Sequence, residues 1–170
     1  ISDRSNPREL SYIEDNEVGG NETSFDYITM MYLSGQYLFI VSVSDDAVNI
    51  YDISDPTNPS FVGVYEDNGF GGVTNLLNAP YDVKVRGNTA YAMAATDDAF
   101  HVFNVSDKRH PTELGTVQDD SKGGPITNMN SAIFTDISGG IAIVMGSVDD
   151  GISIINITDP TSMSELGFLT

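Results

Sequence analysis

The sequence predicts an all-β chain of repeated four-stranded antiparallel units, and three observations carry that prediction. The chain repeats with a period of 52 residues and no gap: Asp52, Asn104 and Asn156 fall in register, as do Gly35, Gly87 and Gly139, and the pairs Gly19-Gly20, Gly71-Gly72 and Gly123-Gly124. Within a unit the hydrophobic period is two, as in "PYDVKVRG" and "AFHVFNVS", which suits strands and not helices. Short polar turns with Gly, Pro and Asp punctuate the chain at regular intervals, and no segment carries a helical period.

Taken in order, the middle unit gives strand A over 80–85, B over 89–95, C over 99–105 and D over 113–118. The turn "RGN" joins A to B, "TDD" joins B to C, and "SDKRHP" joins C to D. The longer loop "DDSKGGPITN" leads into the next strand A. Four antiparallel strands per repeat of this length predict the blade of a β-propeller. A β-solenoid is the competing architecture, but its repeats are shorter and lack hairpin turns. The chain is then one propeller segment, 1–170, divided into a partial blade 1–23 and blades 24–75, 76–127 and 128–170. Ile1 aligns with Ile53, so the first residues supply one orphan D strand ahead of three complete blades. Propellers have about four to eight blades. Three blades therefore lead us to expect a larger ring, completed by further blades or by copies of the chain.

The most regular phrase of the repeat is "YDISDPTNPSFVG", Tyr51 to Gly63, echoed as "FNVSDKRHPTELG" and "INITDPTSMSELG". Asp55 or Ser54 can accept a hydrogen bond from the backbone two residues on, and Pro56 presets φ at the first corner. Tyr51, Asp52, Ile53, Ser54, Asp55, Pro56, Pro59, Val62 and Gly63 resemble the pattern of the LVIVD-repeat family of propellers. The second unit departs with Lys108 for the first proline and Asn104 for the aspartate, and the third has Met163 for the second proline. The resemblance implies a propeller fold and an exported or cell-surface protein of bacteria or archaea, and it implies no defined biochemical role.

Charge is the least ordinary feature of the composition. Twenty-five acids against seven bases give −18, which repels nucleic acid and anionic lipid. There is no cysteine, so disulfides and thiolate metal sites are excluded. The longest apolar runs, "LFIV" and "IAIVM", fall short of the ~18 residues of a membrane-spanning helix, so no membrane insertion is expected.

Alternating strand direction puts the B–C turns and D–A loops on one face. The turns carry Asp45, Asp46, Asp97, Asp98, Asp149 and Asp150; the loops carry Glu14, Asp15, Glu17, Glu22, Asp26, Glu66, Asp67, Asp119 and Asp120. Lys122 is the only base placed with them. Like charges so close repel unless bridged, and calcium accepts carboxylates and loop carbonyls together. Asp15, Asp45, Asp46, Asp67, Asp97, Asp98, Asp119, Asp149 and Asp150 are accordingly the candidate calcium ligands, although none has the spacing of a calcium-binding loop. A solvated acidic surface is the alternative. No other cofactor is expected.

Nothing in the sequence spells out catalysis. His101 and His110 do not recur between units, and no nucleophile elbow, phosphate loop or zinc motif is present. Paired aspartates in every unit argue for structure, since catalysis needs one site. Asn21, Asn104 and Asn156 head Asn-x-Ser/Thr sequons and are candidate glycosylation sites. The expected function is therefore a non-enzymatic extracellular or cell-surface module, a scaffold or binding platform for proteins or glycans within a larger chain or assembly. Its rivals are a calcium-dependent, adhesin- or lectin-like binder using the acidic face, and an enzyme whose channel site is completed by other blades.

Overall fold

The computed structural model describes residues 5–14, 25–68, 72 and 74–170. It contains three four-stranded antiparallel sheets, each strand pairing with its neighbour in sequence. The first is β1 (Ile28–Ser34), β2 (Tyr37–Ser42), β3 (Ala47–Asp52) and β4 (Ser60–Glu66). The second is β5 (Pro80–Arg86), β6 (Thr89–Ala94), β7 (Ala99–Asn104) and β8 (Thr112–Gln118). The third is β9 (Ala132–Ser138), β10 (Ile141–Gly146), β11 (Gly151–Asn156) and β12 (Ser164–Leu169). These are propeller blades, and the strands expected of the middle unit lie within a residue of their observed bounds. Short 3-10 turns lie at Asp120–Lys122 and Pro160–Ser162, and no helix among the described residues is long and apolar enough to cross a membrane.

The repeat in sequence is a repeat in geometry. Gly35, Gly87 and Gly139 turn each first hairpin at φ of 62°, 60° and 58°. A side chain there would meet no neighbour within 4 Å, so backbone conformation alone calls for glycine. Each blade has the same irregularity in its outer pair, between Ile50 and Tyr51, Val102 and Phe103, and Ile154 and Ile155. On the lower face the C–D turn is tied to the A–B turn three times over, by amides of Ile53, Val105 and Ile157 to carbonyls of Gln36, Asn88 and Gly140, each at 2.8 Å.

Packing occurs between blades. The innermost strands β1, β5 and β9 lie side by side. One apolar layer joins the first two blades, with Phe39, Val41, Val48 and Ile50 against Val83, Val85 and Ala92. A second joins the next two, with Met93, Phe100 and Val102 against Ile137, Val144 and Ile155. The middle sheet is thus covered on both faces, and its strands β6 and β7 are buried at five of their six positions each. The outer strand of one blade leans on strand C of the next: the Tyr65 ring stacks on Phe103 with centroids 4.0 Å apart. Residues 5–14, expected as an orphan D strand, form no strand; they lie along the first blade, with the Ser11 hydroxyl donating to the Pro56 carbonyl (2.7 Å) and Ile13 beside a small cluster of Phe25, Ile40 and Tyr51.

Gly63 and Gly115 mark the closest approach of blades. A methyl group on Gly63 would overlap the Lys108 carbonyl, and one on Gly115 would overlap that of Pro160. Each glycine thus seats the C–D turn of the following blade. Gly167, the third copy, has nothing within 4 Å of that position.

Candidate functional site

The acidic upper face is assembled as the strand directions require, since B–C turns and D–A loops meet there by hydrogen bonds. Asp45, Asp97 and Asp149 each accept the amide of a residue in the loop entering their own blade: Asp26 (2.6 Å), Asn78 (2.8 Å) and Asn130 (2.9 Å). The second aspartate of the pair reaches across the joint. Asp46 accepts the amide of Ala79 (2.7 Å) and Asp98 that of Ser131 (2.6 Å), each from the following blade. Asp46, Asp98 and Asp150 all hold φ near 50°, a left-handed conformation that aspartate tolerates better than most residues. So do the two amide donors, Ala79 and Ser131, together with their counterpart Tyr27. Asp67 accepts the Leu77 amide (3.1 Å), while Asp119 accepts those of Ser121 (2.9 Å) and Met129 (2.7 Å). Asp150 accepts no amide among the described residues and is exposed. Asp15 and Asn21 lie outside the described residues, as do Glu17, Glu22 and the glycines at 19, 20 and 71.

The proposed ligand residues are therefore brought to one face, and seven of the eight described have oxygens engaged by backbone amides. Among the described residues, no three histidine, aspartate or glutamate side chains come together as a metal-binding group. The crowding is still felt electrostatically. Asp46 holds its proton more tightly than an ordinary carboxyl, first because it is desolvated and then because Asp67, Asp97 and Asp45 repel its charge. Glu66 is shifted the same way, by burial and then by Asp45. Lys122 comes within 3.7 Å of Asp98.

Asn104 and Asn156, the described sequons, stand in the place of Asp52 and do its work. Their side-chain oxygens accept the amides of Ser106 (2.8 Å) and Thr158 (3.0 Å), as Asp52 accepts that of Ser54 (2.8 Å). They are half-buried, and not buried as their place at the end of strand C suggests. In the turn that follows, the acceptor is Asp55 rather than Ser54: it takes the Thr57 amide (2.9 Å) and hydroxyl (2.7 Å), and Asp159 repeats this with Thr161. These bonds hold the carboxyls of Asp55 and Asp159 below their ordinary range.

Two polar groups differ between the repeats, and one of them, His101, is the packed histidine that its lack of recurrence suggests. His101 is buried, its Nε2 proton donated to the Leu76 carbonyl (2.7 Å), which leaves Nδ1 to accept from the Thr116 hydroxyl (3.1 Å). Beside it the Tyr65 hydroxyl (3.1 Å) and Thr74 hydroxyl (2.7 Å) donate to Glu113. Burial keeps the imidazole neutral by pushing its pKa down and raises that of Tyr65. The third blade builds the same clamp with Ser153 and Glu165 on Thr127, so the arrangement pins the loop entering a blade. The legible signal is positional: Asn49, His101 and Ser153 share one repeat position. The other group is Asp82, fully buried on the innermost strand. It pairs with Lys84 (2.6 Å) and accepts the amides of Val83 and, across the joint, Thr135 (both 2.8 Å). Met30 and Phe134 stand in its place in the other blades, so this ion pair belongs to one unit alone.

On the lower face a cavity of about 250 Å³ is lined by Tyr37, Asp52, Val62 and residues 106–109, with the Lys108 ammonium 5.0 Å from the centre of the Tyr37 ring. The cation covers the ring at the same blade joint that Gly63 narrows.

Comparison with known proteins follows the blades. A family model described as the LVIVD repeat matches residues 30–67 and 80–119, the first two blades. No curated protein matches the chain. Among solved structures, a protein from Lactobacillus plantarum is similar at 13% identity and a TM-score of 0.61, over 79% of this chain and 39% of its own. The computationally designed Ika4 protein is similar at 14% identity and 0.62, over 95% of this chain and 78% of its own. A protein from Bacteroides uniformis, described as a candidate 6-phosphogluconolactonase, is similar at 17% identity and 0.62, over 84% and 40%. The chain thus spans about two fifths of the two natural proteins, and the likeness concerns the fold.

Proposed function

The chain belongs to the LVIVD-repeat family, and from that premise we propose that it is a non-enzymatic, exported or cell-surface propeller module that serves as a scaffold or binding platform for protein or glycan partners. The observation that carries this reading is the use made of the repeated acids. In each blade the aspartates act as acceptors for turn and loop amides, and so they build a rigid frame with a strongly negative upper face. Such a face favours cationic surfaces or neutral ligands over anionic ones. The test is a screen of the chain against immobilised glycans and basic peptides, run beside a panel of ester, lactone and glycoside substrates. Saturable binding without turnover is the expected result. Turnover that is lost in Asp82→Asn would replace the scaffold with an enzyme.

A second reading rests on the raised carboxyls of Asp46 and Glu66. A calcium ion near Asp45, Asp46 and Asp67 would relieve the repulsion that raises them and make binding calcium-dependent. Calorimetric titration with calcium separates the two: binding heat and a higher melting temperature support the ion, and their absence removes it.

A further inference from the structure

Positions that agree in all three blades build the fold, and a residue found in one blade alone answers to something other than the repeat. The C–D turn of the second blade departs in this way. Lys108, Arg109 and His110 stand where the first blade has Pro56, Thr57 and Asn58 and the third has Pro160, Thr161 and Ser162. The turn gives up the proline that presets its first corner and gains cations in a chain of net charge −18. Its form is kept: Asp107 accepts the Arg109 amide (3.0 Å), as Asp55 and Asp159 accept those of Thr57 and Thr161. The cations are therefore not required by the turn they occupy.

Lys108 and Arg109 line the 250 Å³ cavity of the lower face, between the first two blades, together with Tyr37, Asp52, Ser106 and Asp107. Neither base is neutralised by its own chain. The Lys108 ammonium donates to the Val105 carbonyl and covers the Tyr37 ring, and neither it nor the Arg109 guanidinium is ion-paired with a carboxylate among the described residues. The two carboxylates of the cavity are fixed by other groups. Asp52 accepts the Ser54 amide (2.8 Å) on one oxygen and the Gln36 side chain (3.1 Å) on the other. Asp107 takes the Arg109 amide on one oxygen and has His110 Nδ1 3.0 Å from the other. A carboxylate oxygen accepts more than one such bond, so acceptor capacity remains on both. At the second joint the same repeat positions hold Thr89, Asn104, Pro160 and Thr161, with no cation and no aromatic ring. One joint of two thus carries this set of groups on the same backbone frame.

We propose that this cavity binds a sugar that carries a carboxylate, a uronic acid unit, with Lys108 and Arg109 taking the carboxylate and Asp52, Asp107 and the Ser106 hydroxyl taking ring hydroxyls. The lining discriminates among ligands. A phosphate group would bring about two negative charges up to Asp52 and Asp107, whereas a carboxylate brings one and matches the fork of a guanidinium. A neutral sugar would leave both cations unpaired. The space is smaller than the ~300–1,000 Å³ of pockets that take drug-sized ligands, which suits a single ring. The site goes beyond the platform reading, because it lies on the face opposite the acidic one and takes the ligand charge that the upper face repels.

The test is calorimetric titration of the 170-residue chain with glucuronate and galacturonate, beside glucose, galactose, inorganic phosphate and free alanine. Saturable binding of a uronate is expected, about tenfold or more tighter than that of its neutral parent sugar, because the bonds to charged groups go with the carboxylate. Arg109→Gln should weaken uronate binding about tenfold with the melting temperature unchanged, since the guanidinium has no partner in the chain. Lys108→Met keeps an apolar stem over the Tyr37 ring and should weaken it by about the same factor. Lys122→Gln removes a cation from the opposite face and should leave uronate binding as it was. Binding of the free sugar or of a unit within polygalacturonate supports the site, provided that Arg109→Gln weakens it. The proposal is overturned by no uronate binding, by phosphate, alanine or the neutral sugar bound equally well, or by Lys122→Gln weakening binding as much as Arg109→Gln. A chain that binds neutral glycans or basic peptides but no uronate overturns this site and leaves the platform reading standing.

Discussion

Alanine at Gly63, Gly115 and Gly167 applies one perturbation to three copies of one position, with the blade joint as the only variable. None of the three has a left-handed φ, so alanine fits the backbone at each. At Gly115 the new methyl group would lie 2.7 Å from the carbonyl carbon of Pro160. Carbon atoms pack at about 3.5–4.0 Å, so the turn must retreat by about 1 Å from a joint made of backbone on both sides. Overpacking of this kind costs about 1–3 kcal/mol. The lost flexibility of glycine offsets about 0.5–1 kcal/mol of it. The net destabilisation of about 1–2 kcal/mol lowers the melting temperature by about 2–8 °C for a chain of this size. Gly63, 2.9 Å from Arg109 Cα, should behave alike. Gly167 keeps only the gain and should melt at the same temperature or slightly higher. The assay is thermal unfolding by circular dichroism. Equal losses at all three glycines, or none at Gly115, would refute the seat.

Three further outcomes follow from the same geometry. Asp82→Ala strands the Lys84 charge at a buried joint and should cost about 3–5 kcal/mol by denaturant unfolding; adding Lys84→Met should recover much of the loss, and a double variant no better than the single would deny the pair. Asp98→Ala leaves the Ser131 amide unpaired and should cost about 1–3 kcal/mol beyond the left-handed strain that alanine meets at φ near 50°, whereas Asp150→Ala should cost that strain alone; equal losses would show that the aspartate serves its own turn and not the joint. As for pH, Asp55 and Asp159 are held below their ordinary range, so their stabilisation is present above that range and lost as pH falls through their folded values. Asp46 and Glu66 are raised, so their contribution is present in acid and lost as pH climbs through theirs. Melting temperature should therefore peak in mild acid, and the decline on the neutral side should shrink in Asp46→Asn and in added salt; a neutral-side slope unchanged by both would remove the repulsion argument.

Much of the fold was legible because a repeat states its own boundaries. Gly35, Gly87 and Gly139 mark hairpins that only a left-handed residue can turn, and alternation places the strands between them. The aspartate pairs were legible as a shared face but not as hydrogen-bond acceptors, since an acid that coordinates a cation and one that caps an amide have the same letter. His101 and Asp82 were harder still: their partners Leu76, Glu113 and Thr135 lie in the entering loop, on another strand and in the next blade.

The sequence by itself determined the period, the four strands per unit, the acidic face and the turn chemistry, because all of these rest on contacts within one repeat or on strand direction. The tertiary structure decided which oxygens accept which amides, and that Gly63 and Gly115 are occupied seats while Gly167 is open. Identical local sequence gives identical local geometry, but the environment of a residue depends on whether another blade stands against it. That contact lies a full repeat away along the chain, so only the stacked blades reveal it.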